Sequence, residues 1–116
     1  INFWIKNMAT AFKNKIENQL GTSPTQLIAT QPASRITVIG MSLCNLLPQL
    51  VKVSVTLTDS TSTTGYYVKD VQIPPNQSLR IVNGGEKLIM AENSSLSAFA
   101  DQAAAVDVII SYVEIV

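Results

Sequence analysis

Turn-forming residues interrupt this chain about every 8–12 residues, and that spacing limits what it can fold into. Gly21-Thr22-Ser23-Pro24, Gln31-Pro32-Ala33-Ser34, Leu46-Leu47-Pro48-Gln49, Pro74-Pro75-Asn76-Gln77 and Asn83-Gly84-Gly85 each close one run of residues and open the next. Asp59–Thr64 is polar throughout and reads as an exposed hairpin tip. The runs between these breaks are rich in Val, Ile, Thr and Tyr, which suit a pleated, half-buried surface. No useful stretch of helical period follows residue 12.

Within the runs, Val51, Val53, Val55 and Leu57 alternate with Lys52, Ser54, Thr56 and Thr58. A period of two places the first set in a core and the second in solvent. From Phe12 to Leu20 the odd positions Lys13, Lys15, Glu17 and Gln19 are polar, so Phe12, Ile16 and Leu20 are expected on one face of a strand. Thr25–Thr30 then reads as the returning strand of a hairpin. Arg35–Asn45 is a further strand, in which Gly40 marks a bulge or a close backbone approach. Gly65–Ile73 returns from the polar tip with Tyr66 and Val68 on one face and Tyr67, Val71 and Ile73 on the other. Ser78–Val82, Glu86–Ala91 and Leu96–Ala100 are short strands, the first two joined by a tight reversal at Asn83-Gly84-Gly85.

The last run, Val106–Val116, is apolar on both faces: Val106, Val108, Ile110 and Tyr112 on one, Ile109, Val113 and Ile115 on the other. Such a strand is usually covered on both sides. Its own core accounts for one face; a second layer, a terminal arm or a neighbouring subunit is needed for the other. Eight or nine short strands of this kind predict an all-β antiparallel β-sandwich, jelly-roll-like or Ig-like. Residues 12–116 form the sandwich domain and residues 1–11 an N-terminal arm.

Length and composition fit that reading. A single domain of 116 residues buries roughly two-thirds of its unfolded surface, enough for a core without disulfides or metals. Hydrophobic residues make up 47% and charged residues only 14%, below the roughly 25% usual in soluble domains. The formal net charge is zero, which removes the electrostatic guard against self-association. The absence of a basic run argues against nucleic acid, and no apolar run approaches the ~20 residues of a membrane helix.

The chemistry-bearing residues are sparse. There is no histidine, and the lone Cys44 reads as a small core residue rather than a reactive thiol. The acidic residues are scattered; Asp59 and Asp70 flank one hairpin and read as a solvated pair across it rather than a catalytic dyad. Asn83-Gly84-Gly85-Glu86-Lys87 lacks the following helix that a phosphate loop requires. No cofactor or metal is expected. Trp4, Tyr66, Tyr67 and Tyr112 are the candidates for a sugar-stacking platform, but Tyr66 and Tyr67, adjacent in a strand, face opposite ways. The expected partner-binding residues are Phe3, Trp4 and Ile5 near one end of the sequence and Ile115 and Val116 at the other.

From about Ala11 onward the chain resembles a family of small structural proteins of tailed bacteriophages, notably phages of marine bacteria and cyanobacteria. The resemblance is carried by the order of five segments: Asn18-Gln19-Leu20-Gly21-Thr22-Ser23-Pro24-Thr25, Thr37-Val38-Ile39-Gly40-Met41-Ser42-Leu43-Cys44-Asn45, Tyr66–Asn76, Asn83-Gly84-Gly85-Glu86-Lys87-Leu88 and Val106–Val116. It implies a non-enzymatic virion component, a capsid-decoration, neck or tail accessory subunit. Its partners would be other virion proteins and copies of itself in a homo-oligomer. The alternative is a host-surface or glycan-binding β-sandwich module.

Overall fold

The computed structural model describes residues 9–82 and 85–116. Among these the runs become nine strands: β1 (Thr10–Leu20), β2 (Thr25–Ala29), β3 (Arg35–Asn45), β4 (Val51–Thr58), β5 (Thr64–Ile73), β6 (Ser78–Val82), β7 (Leu88–Met90), β8 (Ser95–Ala100) and β9 (Val106–Ile115). Their antiparallel pairing is nested. Innermost, β4 pairs β5; around it β3 pairs β6 and β7, β2 pairs β8, and outermost β1 pairs β9. Two further ladders, β3 with β9 and β8 with β4, fold this nest into two sheets, β1-β9-β3-β6 with β7 also on β3, and β2-β8-β4-β5. A nested hairpin wound over two layers is a jelly roll, which decides between the two sandwich types the sequence left open.

The core lies between the sheets. β3 and β9 supply Ile36, Val38, Met41, Leu43, Val106, Val108 and Ile110; β4, β5 and β8 supply Val51, Val53, Val55, Ile73, Leu96, Ala98 and Ala100. The alternation in β4 therefore specifies its buried face as the sequence predicts. Each large aliphatic side chain so buried stabilises the fold by roughly 1.5–3 kcal/mol before entropy is counted. Asn45, fully buried at the end of β3, ties the layers together. Its amide nitrogen lies 2.8 Å from Gln49 O, 3.0 Å from Ile73 O and 3.1 Å from Pro74 O, and its oxygen accepts the Leu47 N–H at 2.9 Å.

Several expectations change where the ladders are irregular. In β1, Phe12 and Ile16 are not core residues; only Leu20 is buried. The β1–β9 register shifts between Glu17 and Leu20, where Gln19 adopts φ 55° and its N–H bonds Asp107 Oδ1 at 2.9 Å. One extra residue inverts the face, so Leu20 points inward while Phe12 and Ile16 point out. β2 does not return beside β1 as a hairpin; it crosses to the other sheet and pairs β8.

In β4 the outer set is not wholly solvated: Ser54 is buried, its hydroxyl accepting the N–H of Asp70 at a bulge where that residue has φ 50°. The same bulged strand pairs Val68 with Val55 and Tyr66 with Thr56, so Tyr66 and Val68 do not share a face. Around Gly40 the β3–β9 register slips as the sequence predicts. Cys44 is not in the core; it is half-buried, opposite Asp107 and Ser78. β7 is three residues rather than six; Asn83 and Gly84 of the expected reversal lie outside the described residues, and among those described β6 and β7 each pair β3. Both strands run along the same edge of β3, β6 beside Met41–Cys44 and β7 beside Ile36–Val38.

Candidate docking face

Directly paired residues in an antiparallel ladder share a face, so the registers show what each sheet presents to solvent. The outer face of the β2-β8-β4-β5 sheet is rich in hydroxyl groups: Thr56 lies between Ser97 and Tyr66, and Thr58 between Ser95 and Thr64. Thr58 and Thr64 hydroxyls bond each other at 2.8 Å. This sheet finishes itself in water.

The other sheet does not. One row across it reads Phe12, Val113, Thr37, Ile89, and another reads Ile16, Ile109, Ser42, Arg80. Phe12 is 80% exposed, Ile89 70%, Ile16 61% and Ile109 47%. Ile39 and Ile115 are exposed as well. Between the two rows runs a third of small groups, Asn14, Ser111 and Gly40. A Cβ on Gly40 would meet Ser111 Cβ at 3.9 Å and Val82 O at 4.0 Å, ordinary contact, so glycine leaves the face lower there by one carbon. The result is a depression of about 300 Å³ bounded by Ile39, Ser42, Arg80, Ile109 and Ser111. A neighbouring hollow reaches Phe12, Asn14 and Tyr112.

Charge is thin on this face. Its paired positions carry Arg35, Arg80 and Asp107, and Asp107 already receives the Gln19 N–H. Lys13, which alternates with Phe12 and so lies on the other side of β1, is bound to Glu114 at 2.7 Å. The hydrogen bond to Glu114, reinforced by its negative charge, holds the Lys13 ammonium above its ordinary pKa. Apolar rows around a small-residue trough, with few charges, bind by burial rather than by reading charge or donor patterns.

Of the residues expected to bind partners, Ile115 is exposed at the end of β9, opposite Thr10 and Arg35, and belongs to this face. Val116 is exposed, and its N–H donates to Ala9 O at 2.9 Å. Phe3, Trp4 and Ile5 lie outside the described residues. Sequence reasoning missed Phe12 and Ile16, which it placed on one face with Leu20, and gave no role to Ile39 or Ile89. The two-faced pattern of β9, with Ile109, Val113 and Ile115 on its second side, was the signal that pointed here.

The other candidate chemistry does not converge. Tyr66 is exposed with Lys69 Nζ 5.3 Å from its ring centroid, whereas Tyr67 packs against the core and donates its hydroxyl to Ile81 O at 3.2 Å. Burial, and secondarily the charge of Glu86, raises the Tyr67 pKa. Tyr112 is half-buried against the core, so these three rings form no common platform. Asp59 and Asp70 are not a pair across the hairpin. Asp59 accepts the Thr61 and Thr63 N–H groups and the Thr61 hydroxyl at the tip, while Asp70 sits at the bulge beside Ser54. Those bonds, the Thr61 hydroxyl first, hold the Asp59 carboxyl below its usual pKa. Among the described residues no three His, Cys, Asp or Glu side chains cluster in a way that would hold a metal ion.

Neither a protein-family model nor a curated protein matches this chain.

Proposed function

We propose that this protein is a non-enzymatic structural subunit of a tailed-phage virion, held in a symmetric assembly by protein–protein contacts. The observation that carries the reading is the unfinished outer face of one sheet: two apolar rows, with Phe12 80% exposed, on a chain of zero net charge. A lone domain with such a face is prone to aggregate, whereas a subunit covers it with neighbours. The resemblance of five ordered segments to small phage structural proteins supports the virion as the setting. The jelly roll agrees with that setting only by analogy, since capsid and lectin domains both use it.

The reading is tested on particles. Mass spectrometry of purified virions should find the chain at a fixed, repeated copy number, and a density map should place the outer face of the β1-β9-β3-β6 sheet against protein. Absence of the chain from purified particles, coupled with saccharide binding on a glycan array, would instead select the glycan-binding module.

A further inference from the structure

We infer that the outer face of the β1-β9-β3-β6 sheet is closed by the same face of a second copy of this chain, in a two-fold symmetric pair with β9 near the axis. The inference concerns the isolated chain and holds whether or not the protein enters a virion.

The complementary parts lie on one surface. Phe12 projects from β1 at one edge and Ile89 from β7 at the other, with the depression at Gly40 and Ser111 between them. A two-fold axis in the plane of the face, running between β9 and β3, exchanges the two edges. Rows stay level under that rotation, so Phe12 of each copy lies over Ile89 of the other, Val113 over Thr37, and Ser111 over Gly40. A surface that carries both halves of a fit is what an isologous contact requires.

The size is adequate. Four strand columns about 4.8 Å apart and about ten residues long at 3.3 Å per residue give a plane of roughly 600 Å² per copy before corrugation. Two copies then remove on the order of 1,200 Å² or more, above the ~1,000 Å² that a specific interface needs. The chemistry is also self-compatible. Apolar rows meet no like-charge clash, and the chain as a whole is neutral. Face-to-face packing of two sheets repeats the geometry already present inside the sandwich.

The experiment is sedimentation of the full chain up to high micromolar concentration, alongside Phe12→Ser, Gly40→Leu and, as a control on the opposite sheet, Tyr66→Ser. The expected result is a wild-type dimer, a dimer weakened about tenfold or more by either face variant, and no change with Tyr66→Ser. Leu at position 40 stands against Ser111 of the other copy and holds the two faces apart. Ile89→Ser repeats the test at a site 70% exposed, should Gly40→Leu fail to fold. A wild-type monomer overturns the proposal, as does a dimer indifferent to Phe12, Gly40 and Ile89. A monomer that dimerises only after residues 1–8 are removed also overturns it, and assigns the face to the chain's own Phe3-Trp4-Ile5.

Discussion

Asn45 shows how much a single side chain contributes when it is buried with all its bonds made. It serves three carbonyls and one N–H at the junction of β3, the β3–β4 turn and the end of β5. Replacing it with the similarly sized Leu removes a partner from each of those groups, although Pro74 O keeps the Gln77 N–H, and an unsatisfied buried polar group costs about 1–3 kcal/mol. Asn45→Leu should therefore lower unfolding free energy by about 2–4 kcal/mol in urea titrations, despite its gain in apolar surface. Val55→Asp, which places a carboxylate among fully buried aliphatics, should cost at least about 3 kcal/mol in the same measurement. A near-wild-type midpoint would mean that Val55 does not face the core. Asp59 titrates in a definite direction. Its folded-state pKa lies below the ordinary value of about 3.9, so its contribution to stability is present above that pH and is lost as pH falls through the folded value. Carbon-detected NMR should find the Asp59 midpoint below that of a free aspartate, and Thr61→Ala, which removes its leading hydrogen bond, should move it back up.

At the scale of the element, β1 separates what pattern reveals from what it conceals. Phe12, Ile16 and Leu20 have the same parity, and parity alone assigns them one face. The extra residue at Gln19 inverts that parity, and nothing in its side chain announces a positive φ, which Gly or Asn would have done. Ile16→Ala should accordingly change stability by no more than about 0.5 kcal/mol, as for an exposed site, whereas Leu20→Ala should cost about 2–4 kcal/mol. Equal losses at the two positions would restore the single-face reading. A second bulge of β5, at Tyr67, hid the faces of Tyr66 and Val68 in the same way, while Gly40 advertised its own. Strands with few irregularities were legible: β4 by its strict alternation, and β9 by its two apolar faces, one of which calls for a cover beyond its own core. What periodicity could not supply was pairing. It placed β2 beside β1 and β7 beside β6, because a turn signal marks where the chain breaks and not which sheet it enters next.

For the whole molecule, the two sheets share one core and differ in what their outer faces offer to water. One outer face is a field of hydroxyls that water satisfies; the other is an apolar surface that water does not. Because the chain carries equal numbers of basic and acidic residues, no net repulsion opposes contact between copies. Association through the apolar face should then have the signature of burial rather than of charge pairing. Raising ionic strength from 0.1 to 1 M shortens the screening length from about 10 Å to about 3 Å, which weakens contacts made by exposed charges. The dissociation constant of the self-associated chain should stay within about twofold across that range of sodium chloride, since few charges lie in the contact. Sulfate, excluded from protein surface, should tighten it, and cooling should loosen it, because apolar burial loses driving force at low temperature. Analytical ultracentrifugation across salt and temperature reads all three responses. A steep weakening in sodium chloride would place the contact elsewhere, on the charged positions Arg35, Arg80 and Asp107 instead of the rows led by Phe12 and Ile109.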